Sequence, residues 1–144
     1  MSEQSNASVE SVSLKDLMVP EKVVDIEFPG LDGFILKISH LGRAMGAKLS
    51  KKSTKKTWVN HQPVEEFDSE KFIPEFCKSV IKGWTGLKYK YLEELLLVDI
   101  GDKDPESELL YSLENAVMLL ENSVGFDEWI TEVSKDLSNF TKDK

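Results

Sequence analysis

The chain has one cysteine, two histidines and no long apolar run among its 144 residues. A lone thiol, Cys77, cannot close an internal disulfide, which points to a reducing setting. No stretch approaches the roughly 20 apolar residues that cross a bilayer, so no membrane segment is expected. The opening MSEQSNASVESVS has neither a basic start nor an apolar core and does not read as a signal peptide. His40 and His61 lack acidic or thiol neighbours at metal-ligand spacing. There is no GxSxG, and the fragment GWTG at 83–86 is not a glycine-rich phosphate loop.

Two weaker patterns end the same way. Asp99, Asp102, Asp104, Glu106 and Glu108 are dense in carboxylates, but they lack the DxDxDG order and central glycine of an EF-hand. They read as a solvated acidic loop. Cys77 could be paired on paper with His40 or His61 as nucleophile and base. It falls instead on an apolar helical face, where a small buried residue is the simpler reading. The sequence therefore points away from an enzyme, and no cofactor or metal is expected.

What the chain does have is enough apolar content, 40%, for the core of a single domain, and 31% charged residues. Its net charge of −8 is uneven. Residues 43–56 hold six bases and no acid, whereas residues 98–144 hold twelve acids and four bases. An acidic whole argues against nucleic acid as a partner. Lys88 and Lys90 alternate with Tyr89 and Tyr91 in the manner of single-strand binders, but Glu93 and Glu94 follow at once and would repel phosphate. The asymmetry could instead bring two copies together, opposite charges facing.

The pattern predicts an α+β fold: short N-terminal β-hairpins, then a mainly helical half of about four helices. Residues 1–12 are Ser-, Asn- and Glu-rich and read as a disordered tail, 13–140 as one domain, and 141–144 as a polar end. Ser13 can cap a brief turn through Leu14, Leu17 and Met18, stopped by Pro20. Alternation over 23–28 and 34–41 predicts two strands around the turn PGLDG, with Val24, Ile26, Phe28, Phe34, Leu36 and Ile38 inward. Residues 41–49 are ambiguous: Leu41, Met45 and Leu49 make a helical stripe, but Gly42 and Gly46 interrupt it. Residues 57–59 and 64–67 predict a second hairpin around the turn NHQP, with Lys55 and Lys56 facing Glu65 and Glu66.

The stretch 68–100 organises the rest. Phe72, Ile73, Phe76, Cys77, Val80, Ile81 and Trp84 fall on one helical face, capped by Asp68 or Ser69. Pro74 could delay the regular helix to Ile73. A Gly83–Gly86 elbow would then lead into a leucine-rich helix carrying Tyr89, Tyr91, Leu92 and Leu95. Two helices close the chain, one capped by Ser112 and one by Asp127, the latter burying Trp129, Ile130, Val133, Leu137 and Phe140. Apolar surface beside the elbow exceeds what one short helix needs, so Trp84, Tyr89, Leu92 and Leu96 are candidate partner contacts.

SLKDLMVP (13–20), VDIEFPGLDGF (24–34), VIKGWTGLKYKYLEELLLVD (80–99), LENAVMLLENSVGFDEWITE (113–132) and DLSNF (136–140) cover most of the chain. In that order they resemble the tail assembly chaperones of long-tailed, siphovirus-type bacteriophages. The segment 39–55 departs from the pattern, with GRAMG where the family has a charged helix. The resemblance implies binding to the tape measure protein, which is kept soluble while the tail is built. It also implies possible contact with tail tube protein, a longer frameshifted form of the chain itself, and self-association. The place of action would be the host cytoplasm, with the protein absent from the finished virion. A minor tail or tail-completion protein is the alternative. The family has no catalytic motif to carry over.

Overall fold

A computed structural model describes residues 11–141, so most of the expected N-terminal tail and the last three residues lie outside it. The first hairpin forms as its alternation predicts. Strand β1 (Val23–Glu27) pairs antiparallel with β2 (Ile35–Ser39), Val23 opposite Ser39 and Glu27 opposite Ile35. Between them, the Glu27 carboxylate accepts the Gly33 N–H at 2.7 Å, and the Phe28 N–H donates to the Phe34 carbonyl at 2.9 Å. Leu36 and Ile38 are fully buried, and Ile35 on the opposite face is half-buried. That two-sided cover follows from the place of β2: it is the middle strand of three, with β5 (Ile81–Thr85) on its other side.

β5 is a departure from the sequence reading, which put Ile81 and Trp84 on a helix. Helix α3 (Ser69–Val80) stops three residues short of Gly83 and hands directly to the strand. Leu36 faces Trp84 and Ile38 faces Ile81, with Lys82 as an extra residue bulged out of the ladder. Without that strand β2 would be an exposed edge with unpaired backbone groups; pairing outweighs helical periodicity. α3 itself begins at Ser69, earlier than Pro74 suggested. The Asp68 side chain accepts the Glu70 N–H at 3.0 Å, and Pro74 is carried inside the helix. The expected helical hairpin is therefore helix, strand, then α4 (Tyr89–Leu95).

The ambiguous stretch becomes α2 (Arg43–Lys52), with Gly42 at its N-cap and Leu41 and Leu49 buried. Burial of the stripe against the core overrides the cost of Gly46. A helical turn, α1 (Leu14–Leu17), forms with Ser13 at its cap position but without a side-chain hydrogen bond.

At the C-terminal end, α5 (Leu113–Asn122) is capped by Ser112, whose hydroxyl accepts the Asn115 N–H at 3.1 Å. The next helix, α6 (Val124–Lys135), starts earlier than expected: its cap is Ser123, not Asp127. The buried Ser123 hydroxyl accepts the Phe126 N–H at 3.2 Å, and Asp127 already lies in the first turn. Leu137 is exposed beyond the helix, and Phe140 reaches the core from a separate turn, α7 (Ser138–Thr141). Thr141 thus belongs to a helix rather than to the polar end.

The core lies between the sheet, α3, α5 and α6. Phe34, Phe76, Phe126, Ile81, Leu87 and Ile130 are fully buried, or within 2% of it. Phe28 closes one side, edge-on to Trp129 at 4.7 Å and stacked near Phe126.

Candidate protein-docking surface

Of the four candidate contacts, Trp84 is a core residue and not a surface one. Its indole N–H donates to the Leu109 carbonyl at 2.9 Å. Its ring stands edge-on to Tyr111 at 5.1 Å and to Phe34 at 6.1 Å. Buried indoles need such a partner for the N–H, and this one has it. Tyr89 and Leu92 on α4 and Leu96 at its C-cap are half-buried, the two leucines packed against the core, while neighbouring Leu97 is fully exposed. The structure therefore keeps three of the four on one flank and separates Trp84 from them.

The acidic loop after α4 acts as a tie. Glu106 accepts hydrogen bonds from Lys88 at 2.8 Å and from Lys90 at 2.7 Å. Those two hydrogen bonds hold its carboxyl down to about 2, well under the usual carboxylate range. Glu108 accepts the Gly86 N–H at 3.0 Å, and the Leu109 N–H donates to the Leu87 carbonyl at 2.8 Å. Two of the five acids are thus spent on α4 and its approach. Among the described residues, no group of three or more His, Cys, Asp or Glu side chains is placed to hold a metal.

Cys77 is fully buried in α3. Burial first, then the nearby charges of Glu121 and Asp127, push its thiol up to about 12. A thiol held protonated is no nucleophile. The histidines sit elsewhere: His40 packs its ring 4.9 Å from Phe140, and His61 forms a hairpin tip.

That hairpin is the second one the sequence predicts; what the sequence does not predict is how far it stands open to solvent. Strands β3 (Thr54–Val59) and β4 (Gln62–Phe67) form a two-stranded ribbon that joins no other strand among the described residues. Its turn is the pair Asn60–His61, both at positive φ (53° and 65°), rather than the four residues expected. Pro63 accordingly lies in β4, directly opposite Trp58. Trp58 is 72% exposed and Phe67 56%, and Val59 and Val64 are open as well. No residue of β4 is even half-buried. The ribbon is fixed only at its base. There the buried Ser53 hydroxyl donates to the Leu49 carbonyl at 2.6 Å, the Asp68 N–H donates to Ser53, and the Phe67 ring meets Phe72 at 5.4 Å.

A signal for this exposure was present. Lys55 faces Glu66 and Lys56 faces Glu65 across the strands, as the sequence predicted. Adjacent residues of a strand point to opposite faces, so each charge doublet puts charge on both sides. Neither face can then be buried cheaply. A second open apolar set precedes the sheet: Val12, Leu14, Leu17, Met18 and Val19 are all exposed, and α1 buries nothing.

No protein-family model matches the chain, and neither the curated proteins nor the solved structures provide a match. No helix among the described residues is long and apolar enough to cross a membrane.

Proposed function

We propose that this chain is a non-enzymatic binding protein of the tail-assembly-chaperone kind, which covers the apolar face of a tape measure protein in the host cytoplasm and departs before the virion is complete. The observation that carries the reading is the open ribbon. An isolated two-stranded ribbon contributes little to its own stability, yet this one holds Trp58 and Pro63 away from the core and leaves Phe67 open at its base. Exposed aromatics of that kind are what interfaces use as anchors. The five segments that resemble the phage family supply the partner class.

The physics of the role is simple. A long helical protein with one apolar face aggregates alone. A small binder covers that face with its apolar ribbon and, through its net charge of −8, keeps the complex dispersed. Many weak copies on one long partner hold by avidity, and competition from tail tube subunits releases them without nucleotide. Tyr89, Leu92 and Leu96, beside exposed Leu97, form a second contact strip on this reading.

The test is co-expression with the tape measure protein of the same phage. The partner becomes soluble and co-purifies with the native chain, and Trp58→Asp abolishes co-purification while the melting temperature is kept. A partner that stays insoluble and unbound overturns the reading. Stoichiometric presence in purified particles would favour the alternative, a minor tail or tail-completion protein.

A further inference from the structure

The open ribbon has two edges, and they are not alike. Asn60–His61 is a two-residue turn with both φ positive, and the register below it runs unbroken from Val59 opposite Gln62 to Thr54 opposite Phe67. In such a hairpin the pair that flanks the turn is hydrogen-bonded, and bonded pairs then alternate with unbonded ones. The ladder therefore uses the backbones of Val59, Thr57 and Lys55, bonded to those of Gln62, Val64 and Glu66. The backbones of Thr54, Lys56 and Trp58 point outward along β3, and those of Pro63, Glu65 and Phe67 along β4.

The β4 edge is closed to a further strand. Pro63 stands at an outward position, where it has no N–H to offer and its ring fills the edge. The β3 edge is open. At its base the Thr54 carbonyl accepts the Lys71 ammonium at 3.1 Å. From there to the tip, no hydrogen bond among the described residues reaches the outward backbone groups of Lys56 and Trp58. The lysines beside that edge are open as well. Glu66 faces Lys55 but turns its carboxylate to the Thr57 hydroxyl, 3.0 Å away. Among the described residues no ion pair reaches Lys55 or Lys56, and both are exposed.

Lysine at a sheet edge discourages indiscriminate pairing, but it admits a strand that brings carboxylates. A ribbon from a second copy does not qualify: its β3 carries like charge and its β4 is stopped by Pro63. We propose that β3 receives an extended acidic segment of a different protein as a third strand. Main-chain hydrogen bonds run to Lys56 and Trp58, carboxylates lie beside Lys55 and Lys56, and β-branched residues lie beside Thr57, Trp58 and Val59. The inference does not rest on the tape measure reading, which uses the apolar side chains of the ribbon and not its backbone edge.

Amide-resolved NMR on the full chain tests it, with the acetylated, amidated peptide TVVTEET as the probe. At a few millimolar the peptide slows hydrogen exchange of the Lys56 and Trp58 amides at least about threefold. The Lys55 and Thr57 amides, already in the ladder, change little. The analogue TVVTKKT gives no protection. Lys56→Pro removes an outward N–H, as Pro63 does on β4, and abolishes the protection at Trp58. A probe N-methylated on the alternate amides that face β3 fails against the native chain in the same way, so the result does not depend on how the variant folds. Unchanged exchange at Lys56 and Trp58 overturns the proposal. So does equal protection by the lysine analogue, or a response confined to the Trp58 indole, which would put the peptide on the face of the ribbon.

Discussion

The backbone of Gly86 lies directly against the carbonyl of Gly33, so close that a Cβ at position 86 would overlap that oxygen. This contact joins the first hairpin turn to the entry of α4. Gly86 is also left-handed, at φ +77°. Gly86→Ala is expected to cost at least about 2 kcal/mol, from strain and from displacement of the 33–34 turn. Gly46→Ala is the contrast. It sits inside α2 with open space where the Cβ would go, and it should stabilise by about 0.5–1 kcal/mol. Urea unfolding midpoints of the two variants should move in opposite directions, and an unchanged midpoint for Gly86→Ala would refute the contact.

Much of the fold was legible where one local signal acted alone. The alternation of residues 23–28 and 34–39 had no competitor, and Ser112 had a clear apolar stripe behind it. Residues 81–85 mislead because Ile81 and Trp84 continue the helical spacing of α3, whereas a strand brings residues three apart onto one face only through a bulge, here at Lys82. Only the unpaired edge of β2, a tertiary fact, decides between them. The surface was less legible for a related reason. Apolar content alone cannot separate Trp84, whose N–H meets Leu109, from Trp58, which meets solvent.

The two tryptophans should therefore behave as opposites. Trp84→Ala removes a ring packed on Phe34 and Tyr111 and orphans the Leu109 carbonyl, at about 3–5 kcal/mol. Trp58→Ala should change stability by no more than about 0.5 kcal/mol. Chemical denaturation read by circular dichroism, which does not depend on the tryptophan lost, separates them. Comparable losses would mean that the ribbon is packed in solution.

Ser123 ends α5 and begins α6 with a single buried side chain. Ser123→Ala removes the acceptor for the Phe126 N–H in a dry site, an expected loss of about 1–2 kcal/mol. Asp127→Ala should cost clearly less, because the residue is one turn inside the helix and loses only its charge near the N-terminus and an exposed hydrogen bond from the Thr131 hydroxyl at 3.3 Å. If Asp127→Ala proves the costlier change, the helix starts where the sequence first suggested.

Glu106 gives the chain a defined acid sensitivity. Its carboxyl ordinarily titrates near 4.5 and is held to about 2 in the folded state by Lys88 and Lys90. The folded form thus releases this proton more readily than the unfolded form. The stabilisation is fully present above pH 4.5 and disappears as pH falls from 4.5 toward 2. Glu106→Gln lacks that titration. Urea midpoints of native chain and variant should differ by a constant amount from pH 6 to about pH 5, then converge as pH drops through the carboxylate range. The site is solvent-exposed, so added salt should shrink the difference at pH 6 as well. A gap that persists unchanged to pH 2 would assign the effect of Glu106→Gln to lost hydrogen-bond geometry instead of charge.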